Sequence, residues 1–389
     1  MCDVKILHTS DWHLGRTLHG VDMHEHQAAF LDHLIALVEE HGIDAVLVSG
    51  DIYDRSVPST QTVNLLSRGL AGLTAATTVI ITPGNHDSAV RLGFASGLMR
   101  DNLRILADVS SIGTPVVLAD GERDVLVYGI PYLDPDAARS ALTADGAEPP
   151  ARSHQGVLAA AMGTIRTDLA ARERPATSIV MAHAFVAGGE PSDSERDISI
   201  GGVNVVPSGV FAGVDYVALG HLHGAQQVPI KTGRARYSGS PLAYSFSEMN
   251  HHKSSVLLAI DADGVCSIEL IPTPVPRHLA EIRGPIESLL GGDFDDHVGD
   301  WLRVYVTDRA YPQSMYARVK EHFPDALAIL HEPEGVEAGA TAPQVTEAMD
   351  PMTVTTAFVE FATNAPPTEA EAAILQGAYD DVRRAGRSD

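Results

Sequence analysis

Seven residues able to share metal ions are spread over the first 223 positions: Asp11, His13, Asp51, Asn85, His183, His221 and His223. Asp11 and His13 are two apart, so in an extended or loop geometry both side chains can turn toward one ion. Asp51, in Ser49-Gly50-Asp51, carries two carboxylate oxygens that can bridge two ions. Asn85 adds a neutral amide oxygen, and the three later histidines complete two coordination shells. A bridging carboxylate among mixed N/O donors suits two divalent cations roughly 3.5–4 Å apart. Such a pair supplies a nucleophile at neutral pH and neutralises charge at phosphorus and on the leaving oxygen, which are the two needs of phosphodiester cleavage. A single Asp or His at such a place is more often a cap or a satisfied loop hydrogen bond. The ordered string is what points to a dinuclear site.

The elements that must position these residues follow one pattern. A short apolar run ends in a polar cluster: 4–7 before Asp11 and His13, 45–48 before Asp51, 79–81 before Asn85 and His86, 179–181 before His183, and 216–219 before His221 and His223. Runs of this length and composition, bounded by turn residues, read as buried strands. Leu31, Leu34, Ile35 and Val38 fall at i, i+3, i+4, i+7, with Gly42 suited to the position after a helix end. Val157, Leu158, Ile165 and Leu169 mark another helix. Strands alternating with helices predict a layered α/β domain with its site at the carboxyl ends of the strands. After Gly239 the texture changes. Residues 254–260 and 265–271, joined by Asp261-Ala262-Asp263-Gly264, read as a hairpin closing the first domain, and 272–276 as a boundary. Strand-like runs at 279–282, 302–306 and 327–330, with helical stretches near 286–290 and 314–322, make a small α+β unit. The Ala-, Gly-, Glu- and Pro-rich stretch 333–349 reads as a linker.

Composition bounds the remaining possibilities. Of 389 residues 44% are hydrophobic, which excludes global disorder. The apolar runs are too short to span a bilayer, so no membrane association is expected. The start Met1-Cys2-Asp3 carries no basic region before an apolar one, and two cysteines, Cys2 and Cys266, cannot make a framework of bridges. A reducing cytoplasm is the expected compartment. The net charge of −24 argues against a nucleic-acid binder, because phosphate contacts usually require a basic surface. Metal ions, local basic patches or a partner would have to supply the positive field.

The string Asp11-x-His13, Gly50-Asp51-x-x-Asp54-Arg55, Gly84-Asn85-His86-Asp87, His183 and Gly220-His221-x-His223 resembles the calcineurin-like metallophosphoesterase superfamily. The resemblance implies an α/β fold: a layered β-sandwich core flanked by helices, here with a small α+β capping domain and a helical C-terminal tail. It implies that Asp11, His13, Asp51 and His223 hold one ion, and Asp51, Asn85, His183 and His221 the other. His86 is implied as a catalytic group that faces the scissile phosphate and not as a ligand. Asp54 stands where related phosphatases place a carboxylate that orients this histidine, and an Asp–His pair would fix its tautomer. A loop carboxylate and a surface ion pair are the plainer readings of Asp54 and Arg55.

Other segments resemble the bacterial SbcD-type nuclease subunit. They are the opening His8-Thr9-Ser10-Asp11-Trp12-His13-Leu14-Gly15, then Gly188-Gly189-Glu190, Ser192-Asp193-Ser194-Glu195-Arg196 and Gly201-Gly202. Tyr237-Ser238-Gly239-Ser240-Pro241-Leu242 and Ser245-Phe246-Ser247-Glu248 complete the set. This implies a nuclease dependent on two divalent ions, Mn²⁺ above all, acting as an exonuclease on double-stranded DNA ends and an endonuclease on single strands and hairpins. It also implies an SbcC-type coiled-coil ATPase as partner and a homodimer within a heterotetramer. The expected organisation is a nuclease domain at 1–275, a DNA-capping domain at 277–332, a linker at 333–349 and a partner-binding tail at 350–389. Arg234, Arg236 and Lys253 could touch DNA, with a solvated face the plainer reading. The alternative activity is a phosphomonoesterase or cyclic-nucleotide phosphodiesterase on the same scaffold.

Overall fold

The computed structural model describes residues 4–119, 123–144, 146–195, 205–275, 277–334, 350–363 and 366–385. In chain order the first unit contains β1 (Val4–Thr9), a ribbon of β2 (Thr17–Leu18) and β3 (Val21–Asp22), β4 (Ala45–Ser49), β5 (Thr78–Thr82), β6 (Leu103–Ile105), β7 (Val116–Ala119) and β8 (Asp124–Gly129). It continues with β9 (Ala176–His183), β10 (Tyr216–Gly220), β11 (Gln226–Val228), β12 (Arg234–Tyr237) and the hairpin β13 (Ser254–Asp261) and β14 (Gly264–Pro272). These build two mixed sheets, ordered β14-β13-β1-β4-β5-β6 and β11-β12-β10-β9-β8-β7. The strands β1, β4, β5 and β6 run parallel, as do β8, β9, β10 and β12.

The two-residue alternation of the strands explains the layers. Val4, Ile6, Ala45, Leu47 and Ile80 face Val125, Val127, Ile179, Met181, Tyr216 and Ala218 across the space between the sheets. Their neighbours Leu7, Val46, Val48, Val79 and Ile81 point the other way, onto Phe30, Leu31, Leu34, Leu65 and Leu66 of the helices His24–His41 and Thr60–Thr74. Val180, Ala182, Val217 and Leu219 likewise face Val157, Leu158, Ala161 and Ile165 of helix His154–Ala170. The result is helix, sheet, sheet, helix, as the runs of near-continuous apolar residues required. The helix ends match their sequence signals. Gly42 closes the first helix in the left-handed conformation, with its N–H on Val38 O, and Ser153 caps helix His154–Ala170 by accepting from Gly156 N–H.

Residues 279–389 form a second compact unit. Three parallel strands, β15 (Leu279–Gly284), β16 (Trp301–Val306) and β17 (Ala326–His331), pack Ile282, Leu302, Val304 and Val306 against Ile286, Leu289, Met315 and Val319 of two short helices. Beyond them lie helices Pro351–Thr363 and Glu369–Ala385, which contact each other. Most of the expected linker falls outside the described residues, as do Arg196, Gly201, Gly202 and Pro276. Among the described residues no helix is long and apolar enough to cross a membrane.

Candidate metal centre

All seven predicted ligands come from the carboxyl ends of five strands, β1, β4, β5, β9 and β10. The loop after β1 runs along the loop after β4: Asp11 N–H donates to Gly50 O (3.1 Å), His13 N–H to Asp51 O (3.0 Å) and Leu14 N–H to Ile52 O (3.0 Å). Asp11, His13, Asp51 and His221 have φ of 53°, 43°, 50° and 110°, a region that L-residues occupy only when their surroundings over-determine it. Gly84 allows the β5 loop to approach, since a Cβ there would lie 2.1 Å from Asp51 Oδ1 and 2.3 Å from Asp51 N. The Asp87 carboxylate then ties the two loops together, accepting from Ile52, Tyr53 and Gly84 N–H at 2.9–3.0 Å.

The donor atoms converge. His13 Nε2 and His223 Nε2 lie 3.1 Å apart. Asp51 Oδ2 is 3.6 Å from His13 Nε2 and 3.4 Å from His183 Nε2, so one carboxylate oxygen stands between the two groups. Asn85 Oδ1 is 2.9 Å from His183 Nε2 and 3.3 Å from His221 Nδ1. Three sets of ligand atoms lie close enough to converge on a cation: Asp11 with His13 and His223, Asp11 with Asp51 and His183, and His13 with Asp54 and His86. The outer hydrogen bonds set the tautomers. His183 Nδ1 donates to Ser49 O (3.0 Å), leaving Nε2 to the centre. His221 N–H donates to both oxygens of Asp11 (3.1 Å each).

Electrostatics test whether the residues fit metal ions. Burial pushes the Asp11 carboxyl up to about 6, while His183 and His223 pull the other way. Burial would also raise Asp51, but the charge of and hydrogen bond from His183 outweigh it and hold Asp51 well below the usual carboxylate range. His13 is held well below the ordinary imidazole value by burial, and His221 is lowered to about 3 by burial and then by His183. Burial disfavours protonation of His183 too, yet Asp51 pushes it up to about 9. Two buried carboxylates thus draw positive charge into a nest of otherwise neutral imidazoles. His13 Nδ1 and Asn85 Nδ2 are buried without a hydrogen-bond partner. This mixed N/O set fits two divalent ions, with no protein geometry that singles out one metal.

His86 and Asp54 depart in detail from the expected pair. His86 Nδ1 donates to the main-chain oxygen of Asp54 (2.8 Å), so a peptide carbonyl fixes its tautomer. The Asp54 carboxylate turns instead to His13 Nδ1 (3.6 Å), Arg16 Nε (3.8 Å) and Arg55 Nε (3.6 Å). His86 Nε2 is left facing the centre, 3.9 Å from Asp51 Oδ2.

Residues that carried no predicted role complete the site. Gln27 Nε2 donates to His13 O (3.1 Å), and its Oε1 accepts from Gly15 N–H (3.0 Å). The Tyr244 hydroxyl donates to Trp12 O (2.6 Å). Lys253, expected on a solvated face, is buried in an ion pair with Glu248. Arg234 is exposed and Arg236 half-buried.

The chain belongs to the calcineurin-like phosphoesterase family, which it matches over residues 4–225. Among solved structures it is similar to TT1561 of Thermus thermophilus, at 15% identity and a TM-score of 0.38 over 69% of this chain and 98% of that one. It is also similar to GAP50, the anchor in the inner membrane complex of Plasmodium, at 9% identity and a TM-score of 0.36 over 86% of this chain and 98% of that one. Fold, family and these ligand clusters together define a metal-dependent phosphoester hydrolase.

Proposed function

We propose that this hydrolase is the SbcD-type nuclease subunit of a DNA double-strand-break-processing complex, cleaving DNA phosphodiesters with Mn²⁺ and working with an SbcC-type coiled-coil ATPase in the cytoplasm. One observation carries the reading. The segments that set the SbcD-type resemblance apart from the wider family converge on the metal centre. Ser194 and Glu248 meet His223 Nδ1, Glu195 accepts from His223 N–H (2.8 Å), and Ser238 Oγ lies 2.8 Å from Ser10 Oγ beside Asp11. A second unit, which includes two C-terminal helices, beyond the matched 4–225 also exceeds what a small phosphate ester needs.

In this reading Asp11, His13, Asp51 and His223 hold one ion, and Asp51, Asn85, His183 and His221 the other. Bound there, two divalent ions would supply a nucleophile at neutral pH and screen the phosphoryl charge. His86, with Nδ1 pinned and Nε2 toward the centre, is placed to protonate the leaving oxygen. This reading also gives the chain a second copy as partner, which would cover exposed apolar side chains such as Val57, Val90, Phe94 and Leu98.

The test is Mn²⁺-dependent cleavage of a DNA hairpin with and without the ATPase, beside assays on a phosphomonoester and a cyclic nucleotide. Hairpin cleavage stimulated by the ATPase is the expected result. Turnover of the small esters with the hairpin left intact would establish the alternative activity.

A further inference from the structure

We infer that Glu248, acting directly and through Ser194, is a positioning residue that orients His223 and makes the ion position of Asp11, His13, Asp51 and His223 the tighter of the two. The inference rests on the two-ion reading above. His223 Nδ1 lies 2.7 Å from Ser194 Oγ, and Ser194 Oγ donates to Glu248 Oε1. Glu248 Oε1 also lies 3.3 Å from His223 Nδ1 itself, and an ionised carboxylate can only accept. The ring hydrogen therefore sits on His223 Nδ1, pointing at the Ser194 and Glu248 oxygens, with the Nε2 lone pair turned to the centre. Hydrogen bonds chained in this way polarise one another.

The carboxylate at the end of the chain is built in. Glu248 is 1% exposed, and its oxygens also accept from Tyr244 N–H (3.1 Å) and Ser240 Oγ (3.2 Å). The buried Lys253 ammonium pairs with it and donates to His223 O (3.0 Å). With Glu195 on its N–H, His223 is thus held at backbone nitrogen, backbone oxygen and ring by Glu195, Lys253 and Ser194, side chains from two segments of the chain.

Among the described residues the neighbouring position has no such carboxylate behind its histidines. His183 Nδ1 leans on a neutral peptide oxygen, Ser49 O, and His221 presents Nδ1 itself to the Asn85 side of the centre. A carboxylate behind a histidine raises its basicity as a ligand more than a carbonyl does, and groups in this role commonly govern 10–100-fold of metal affinity, to order of magnitude. Two shells of similar donors should therefore differ in affinity.

Calorimetric titration of the full chain with Mn²⁺ should resolve two binding events. Glu248→Gln should weaken the tighter event by about 10–100-fold and leave the other unchanged. ¹⁵N NMR of the histidine rings, in protein stripped of metal, should show His223 as the Nδ1–H tautomer, with that preference lost in the variant. Should Glu248→Gln fail to fold, Ser194→Ala removes one of the two arms on His223 Nδ1 and must weaken the tighter event selectively, by a smaller factor, and Ser194→Thr, which keeps the hydroxyl, must restore it. Equal weakening of both events, or unchanged affinity and tautomer in a folded variant, overturns the inference. A wild-type chain that binds no Mn²⁺ overturns the two-ion reading instead.

Discussion

Asp51 and His86 lie within 4 Å of each other and should fail in different ways. Asp51→Asn preserves shape but removes the charge that Oδ2 presents to His13 and His183. It should lose both ions, and metal analysis showing two ions bound with full activity would refute the bridge. His86→Ala removes a side chain that the two-ion reading leaves out of both ion positions, although His86 also converges with His13 and Asp54 closely enough to hold a cation. It should retain both ions while turnover falls by about 10²–10⁴-fold, the usual contribution of a positioned acid or base. Metal content and rate measured on the same sample decide, because loss of metal in step with rate would make His86 a ligand. The ligands were legible in the sequence because each follows an apolar run. The role of Asp54 was not, since its main-chain oxygen does what its side chain was expected to do.

Among elements, the loops behind the strands carry the strain. Left-handed backbone at Asp11, His13 and Asp51 costs on the order of 1–3 kcal/mol each, sustained here by the ladder between the two loops. Gly84→Ala should break that ladder, because its Cβ would collide with main-chain and carboxylate atoms of Asp51. Loss of metal binding together with a lowered urea midpoint is the expected outcome, and normal metal binding would contradict it. Gly163→Ala is the contrasting case. Gly163 lies mid-helix with open space where a Cβ would go, so the change should stabilise by about 0.5–1 kcal/mol. Strands, helices and the closing hairpin could be read from local periodicity. The Glu248–Lys253–Ser194 cluster could not, because Ser194 and Glu248 are 54 residues apart and only the fold brings them together. A lysine near a turn reads as solvated until its buried partner is known.

For the whole molecule, charge and tail belong together. Residues 321–389 hold 13 acidic and 3 basic side chains, a net of 3 − 13 = −10, which favours a basic protein surface over DNA. Asp350 caps the first tail helix by accepting from Thr353 N–H (3.2 Å), and Thr368 and Glu371 form the reciprocal capping box of the second. Phe358 and Ile374 stand 64% and 71% exposed on them, side chains that the proposed partner would cover by helix-in-groove docking, while the side chains of Phe361 and Val382 lie outside the described residues. Deleting residues 345–389 should abolish co-elution with the ATPase on a sizing column, and an unchanged complex would remove the tail from that role. The placement of β1 has a consequence for biosynthesis. β1 leaves the ribosome before either of its partners. It pairs on one side with β4, but its other edge is covered only by β13, with Val4 opposite Ile260. Until residue 260 has emerged, the nascent chain displays an unsatisfied apolar edge, a template for pairing with its neighbours on a polysome. A chain ended at residue 225, although it spans the whole family match, should therefore aggregate, whereas one ended at 278 should be recovered monodisperse. Light scattering of the two truncations distinguishes this from an edge that the nascent protein tolerates.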